Sequence, residues 1–175
     1  MKPPFNNYVS NRVLKLNVGF LLSDGPAHSH DTAFDVPAIR VADDLYVHYI
    51  RGTLRLSRTK EGILVQGRLH VGVEGECYRC LDSVLSDVVV AVEELYGYPV
   101  PKGSEFAVHD DGILDIAPLL RAEVFIITAR GLLCRPDCKG LCPECGANLN
   151  TGTCACALEN TDPRLASLKH LLDHK

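Results

Sequence analysis

Tryptophan is absent from this 175-residue sequence, methionine occurs once, and aromatic residues of every kind make up only 6%. Any core must therefore be packed with Val, Leu and Ile, and a hydrophobic content of 46% is enough to build one. No stretch reaches the ~18 consecutive apolar residues that a membrane-crossing helix needs. Met1-Lys2-Pro3-Pro4-Phe5-Asn6-Asn7 offers no apolar signal region, so the expectation is a cytoplasmic chain with its thiols in a reducing setting. P-loop, G-x-S-x-G, H-E-x-x-H and G-x-G-x-x-G patterns are missing. So is the H-x-E that a zinc deaminase sets before its P-C-x-x-C. The expectation is a chain that is not an enzyme and has no small-molecule substrate.

Charge of one sign is also lacking, the net value being −4. The distribution is uneven, however. Residues 1–75 carry nine Lys/Arg against seven acids, residues 76–120 two against nine, and residues 121–175 seven against six. Arg51, Arg55, Arg58, Lys60 and Arg68 make a candidate basic face, against the simpler reading of a solvated sheet face.

Most of the first three-fifths reads as strand. Residues 13–18 alternate and continue into apolar 19–22, and a loop over 23–30 carries the Asp24-Gly25-Pro26 turn. Runs over 45–56, 63–73 and 84–96 suggest an antiparallel meander, and Gly67, Gly72 and Gly75 suggest bulges or coiling in its middle arm. Residues 97–112 read as a mobile polar loop. Asp115 can cap a helix from Ile116, with apolar positions 116, 119, 120, 124 and 127 on one face. The β-prone residues 124–128 leave its end open. A last helix is signalled by Asp162 and Pro163, followed by Leu165, Leu168, Leu171 and Leu172. The expected fold class is α+β: a twisted antiparallel β-meander with a packed helix and a C-terminal zinc-knuckle module. The expected division is a core over 1–130 and a cysteine-rich module over 131–175.

What is abundant is cysteine. Eight residues fall into four pairs, 77/80, 134/138, 142/145 and 154/156. Zinc takes four ligands in a closed structural site, so eight thiolates make two complete sites. In Cys142-Pro143-Glu144-Cys145-Gly146, proline stiffens the turn and glycine permits a positive φ. Cys142, Cys145, Cys154 and Cys156 can close locally, leaving Cys77 and Cys80 to join Cys134 and Cys138. Two other pairings satisfy the same count. A Cys₄ site also accepts iron, so the donors leave the metal open between zinc and iron. Disulfides, free buried thiols and a redox C-x-x-C are the competing readings. His28 and His30 resemble a ligand pair but fit a polar loop better, and His48 and His70 fit strand faces.

Cys77-Tyr78-Arg79-Cys80-Leu81, followed by the block Cys138-Lys139-Gly140-Leu141-Cys142-Pro143-Glu144-Cys145-Gly146-Ala147-Asn148-Leu149-Asn150, Cys154-Ala155-Cys156 and Asp162-Pro163-Arg164-Leu165, resembles the YceD family of large-ribosomal-subunit RNA accumulation proteins. The likeness is close over 77–81 and 134–168 and general elsewhere. Residues 126–130 stand where the family pattern has a proline-bearing segment. The resemblance implies a bacterial factor for large-subunit rRNA accumulation, binding rRNA or a large-subunit ribosomal protein. Family members that keep only the first C-x-R-C element favour two separable metal sites. Candidate partner contacts are Arg79, Lys139, Arg51, Arg55 and Arg58. Arg79 is also a candidate to pair with Glu76 or Asp82, and Asn148 and Asn150 to bond the knuckle backbone.

Overall fold

Alternating apolar residues become strand where one face can be buried, and four such strands make up the main sheet. The computed structural model describes residues 11–100 and 105–156. A single-turn helix (Asn11–Leu14) leads into β1 (Lys15–Asn17), α1 (Gly19–Asp24), β2 (Ser29–Val36), β3 (Ile39–Ala42), β4 (Leu45–Val47) and β5 (Tyr49–Arg58). Then follow β6 (Gly62–Glu76), β7 (Ser83–Gly97), β8 (Ile113–Asp115) and α2 (Ala117–Thr128). The main sheet is antiparallel in the order β2-β5-β6-β7, with the ribbons β1-β8 and β3-β4 beside it. This is the expected α+β arrangement, a meander with a helix.

Alternate residues of the sheet point inward. Ile50, Leu54, Leu56, Ile63, Val65, Leu69, Val71, Val90 and Tyr96 are all but completely buried. Leu119, Leu120 and Val124 of α2 belong to the same core. At ~25 cal/mol per Å² of apolar surface removed from water, this side is what holds the sheet together. The helix starts where its sequence signals it: the Asp115 carboxylate accepts the Ala117 N–H at 2.9 Å, and Pro118 occupies the first turn. The β-prone end stays helical to Thr128, whose hydroxyl donates to the Val124 carbonyl at 2.9 Å.

Several expectations change. Apolar residues 19–22 form the short helix α1 and not a strand: the Asn17 side chain accepts the Gly19 N–H at 3.0 Å, and the Val18 carbonyl accepts the Leu22 N–H at 3.2 Å. Ser29 and His30 belong to β2, paired with Ser57 and Leu56, and not to a loop. The run over 45–56 breaks at His48 into two strands in different sheets. The glycines mark no bulge, since the β6–β7 register is continuous. A Cβ on Gly67 would stand 2.2 Å from the Thr53 carbonyl, and one on Gly72 would meet the Tyr49 ring, so these positions are bare because neighbours lie against them. The 97–112 connection is pinned within its described part: Gly97 N–H donates to Phe106 O, Val108 N–H donates to Gly97 O, and Ala107 and Val108 are buried. The helix signalled at Asp162 lies outside the described residues, as does Arg164-Leu165. Among the described residues, no helix is long and apolar enough to cross a membrane.

Candidate metal centres

The hairpin joining β6 to β7 ends in Cys77-Tyr78-Arg79-Cys80. Cys77 N–H donates to Asp82 O at 2.9 Å, and Leu81 N–H donates to Cys77 O at 2.8 Å. The second C-x-x-C repeats this geometry: Cys142 N–H to Ala147 O at 2.8 Å, and Gly146 N–H to Cys142 O at 2.9 Å. Both turns close with a left-handed residue, Gly146 at φ 72° and, in the equivalent place, Leu81 at φ 60°. A bulky residue rarely adopts that conformation, and Leu81 is also 60% exposed. Sequence reasoning saw the two turns as pairs of cysteines, but not that they are one structure built twice.

The structure brings the eight thiols into two groups. Cys77, Cys80, Cys134 and Cys138 form one, and Cys142, Cys145, Cys154 and Cys156 the other, the sulfurs of each lying within 4.8 Å of one another. Cys77 and Cys138 sulfurs are 3.8 Å apart, and those of Cys80 and Cys134 are 3.6 Å apart. A tetrahedron with ~2.3 Å metal–sulfur bonds has an edge of about 3.8 Å, so the first group already has the spacing of a four-thiolate zinc site. The first group is mostly buried, whereas Cys145 of the second is exposed. A parallel bridge between Cys77 and Leu132, with Tyr78 N–H donating to Leu132 O at 3.0 Å, carries the chain from α2 to the hairpin tip.

Electrostatics also favour a cation. Burial raises the Cys77 thiol, but backbone N–H groups at Cys134, Cys80 and Arg79 outweigh it and bring it down to about 6. Backbone N–H groups at Cys145 and Glu144 bring Cys142 to about 7. Cys138 is raised by burial and lowered by more, chiefly by the Asn150 amide. Cys156, beside the Cys145 sulfur, is pushed up to about 12. Each group thus holds sulfurs favoured as thiolates among sulfurs whose protons are kept by burial and by the adjacent sulfurs. A divalent metal would replace those protons.

Asn150 ties the centres together: its amide donates to the Cys138 sulfur at 3.3 Å, and its oxygen accepts the Lys139 N–H at 2.8 Å and an Arg135 N–H at 2.9 Å. The sequence pointed to backbone bonding by this residue; the bond to sulfur was not foreseen. Asn148 donates to Asp82 at 3.0 Å, so Asp82 is not the partner of Arg79. Arg79 instead donates to the Cys138 carbonyl at 3.0 Å and lies over Tyr78. Lys139 is exposed.

The remaining candidate residues scatter. Arg51 and Arg55 point outward from the sheet, where Arg51 meets Asp35 at 3.1 Å and Arg55 donates to Ser29 at 2.9 Å. Arg58 turns in and donates to the carbonyls of Thr59 and Gly62, with its Nε buried and unpartnered. Asp31 stands opposite Arg55 and Asp35 opposite Arg51, so this face alternates in sign and is not uniformly basic. His48 and His70 are held by Glu74 and Asp87 on the exposed side.

The family model described as large ribosomal RNA subunit accumulation protein YceD matches residues 65–172, a segment containing all eight cysteines. Uncharacterised proteins of Mycobacterium bovis and Mycobacterium tuberculosis are 38% identical over 125 residues, 68% of this chain. The chain spans 60% of the length of those relatives. A maize protein named large ribosomal RNA subunit accumulation protein YCED homolog 1, chloroplastic, is 41% identical over 51 residues, 29% of this chain and 17% of its own. No solved structure matches. The match over more than half the chain shows that this protein belongs to the YceD family.

Proposed function

We propose that this protein is a non-catalytic cytoplasmic factor for large-subunit rRNA accumulation, acting in ribosome assembly through a surface held rigid by two zinc ions. The observation that carries the reading is the pair of Cys₄ groups inside the segment matched by the family model. Cys77, Cys80, Cys134 and Cys138 would hold one ion, and Cys142, Cys145, Cys154 and Cys156 the other. Closed four-thiolate sites leave no position for substrate, so each ion supplies folding free energy and not chemistry. The core is taken as 1–130 and the zinc module as 131–175. Lys139, Arg51 and Arg55 are the candidate phosphate contacts. Arg58 and Arg79, whose guanidinium groups bond carbonyls, would act by holding loops in place.

The test has two parts. Elemental analysis of the full chain, purified without added metal, is expected to give two zinc ions per chain. Binding to large-subunit rRNA fragments is expected to weaken steeply with salt, because phosphate contacts release counterions. Metal-free protein with eight reactive thiols, or rRNA affinity no greater than that of an unrelated acidic protein, would remove the reading.

A further inference from the structure

Among the described residues, β7 is an outer strand of the main sheet, and no strand pairs with its side away from β6. In antiparallel pairing, only alternate residues direct their N–H and C=O toward a given neighbour. Tyr98 N–H reaches Glu61 O on the β6 side, whereas Gly97 gives its N–H to Phe106 and its carbonyl to Val108 on the other. The even-numbered residues of β7 therefore face β6 and the odd-numbered ones face away. Leu95 N–H is taken by the Glu94 carboxylate at 3.2 Å. The outward backbone groups of Leu85, Asp87, Val89, Ala91 and Glu93 have no partner among the described residues.

Such edges are normally blunted by charged side chains, lysine above all, or by proline, a bulge or shortness. β7 has fifteen residues, neither proline nor lysine, and an uninterrupted register from Ser83 to Gly97. β2, on the opposite edge, has eight residues. The outward side chains of β7 alternate in a readable way: Leu85 and Val89 are 56% and 47% exposed, and Asp87 and Glu93 are its charges, exposed although Asp87 also meets His70 and Tyr49 and Glu93 meets Gln66. No cation lies on the strand. Two-fold pairing of two copies about Val90 would set Asp87 against Glu93, acid on acid, whereas a basic strand meets no such clash in any register.

We infer that the open edge of β7 receives an extended strand from a basic protein, one in which apolar residues alternate with lysine or arginine. Main-chain hydrogen bonds to the five free residues would supply affinity, and pairing with Asp87 and Glu93 would supply register. This deepens the assembly reading by naming a class of partner. Its test contains no RNA, so either can fail without the other.

The experiment is amide hydrogen exchange on the full-length chain with a synthetic ten-residue peptide of alternating valine/threonine and lysine. Controls are its glutamate counterpart and a version N-methylated at alternate amides. The lysine peptide is expected to slow exchange at Leu85, Asp87, Val89, Ala91 and Glu93 by at least about tenfold, and neither control to do so. Ala91→Pro removes an outward N–H while leaving the ladder to β6, and is expected to abolish the protection with zinc content unchanged. Should that variant misfold, Asp87→Lys/Glu93→Lys is expected to shift the preference to the glutamate peptide. Protection that survives N-methylation, or no protection at all, overturns the inference. Concentration-dependent protection of the same amides in the chain alone would assign the edge to a second copy and overturn it too. So would protection by an rRNA fragment but not by the peptide.

Discussion

Removing the two candidate metal centres one at a time is expected to have very unequal consequences. Cys80→Ser/Cys134→Ser breaks a cross-link between sulfurs whose residues are 54 positions apart, joining the β6–β7 hairpin tip to the chain beyond α2. Cys145→Ser/Cys154→Ser opens a local loop between residues nine positions apart. Loop closure scales as (3/2)RT ln n, so the longer link restrains the unfolded chain by about 1.6 kcal/mol more. Cys80 is also 3% exposed, and a serine hydroxyl left there without a partner costs about 1–3 kcal/mol, whereas Cys145 is already exposed to water. The first double variant should therefore lose roughly 3 kcal/mol more than the second. At a urea slope of about 1–3 kcal/mol/M, that separates their midpoints by about 1–3 M. Urea titrations followed by circular dichroism, with elemental analysis showing one ion left in each variant, measure the difference. Equal midpoints, or a greater loss from the second variant, would refute the claim that the first centre staples the core.

Other consequences follow from single contacts. Asn150→Ala removes the amide bonded to the Cys138 sulfur, and metal affinity measured by chelator competition should fall about 10–100-fold. Unchanged competition would show that the amide only shapes the loop. Gly67→Ala drives a Cβ into the Thr53 carbonyl and should destabilise by at least about 2 kcal/mol in urea, whereas a loss under 0.5 kcal/mol would mean that the strands part easily. Arg121 beside Asp44 holds that carboxylate below the usual range. Its contribution is therefore present above the unfolded value of ~3.9 and is lost as pH falls through the lower folded value. Asp44→Asn should flatten that acid limb relative to the parent chain, and parallel stability curves from pH 6 to pH 3 would contradict the assignment.

The sheet was legible because burial on one face writes itself as period-two alternation, and the runs over 63–73 and 84–96 lie inside β6 and β7. Alternation fails as a guide where tertiary contacts decide. Residues 19–22 look like a continuing strand, yet the Asn17 side chain takes the Gly19 N–H and the Val18 carbonyl takes that of Leu22, so a helical turn follows. The bulge suggested by the glycines of β6 is absent for a related reason. A missing side chain signals that something is close, and only coordinates tell whether that is a bulge, a carbonyl as at Gly67, or a ring as at Gly72. The cysteines announced themselves by spacing alone, since a C-x-x-C turn is local and four pairs exhaust the ligands of two tetrahedra. Charge was the least legible quantity. A count over residues 1–75 suggests a basic face, but pairing β2 with β5 sets an aspartate opposite Arg51 and another opposite Arg55.

The same contrast explains why the first centre, and not the more conspicuous second, shapes the molecule. The second declares itself within fifteen residues of sequence, which is also why it can restrain little beyond them. The first joins two segments far apart in the chain, and that separation is the source of its leverage. It fixes the tip of the longest hairpin to the segment leaving α2, which packs on the inner side of the same sheet. Leu81 closes the Cys77–Cys80 turn in a left-handed conformation that glycine fills in the sister turn. An αL leucine costs about 1–2 kcal/mol, and at 60% exposure it recovers little of that by burial. Leu81→Gly should therefore leave urea stability unchanged within about 1 kcal/mol, in spite of the lost side chain. If this leucine is instead part of the surface that the metal holds rigid, the same variant will lose binding to large-subunit rRNA fragments or their proteins while keeping both ions. A loss of metal together with binding would show that the leucine serves the turn alone.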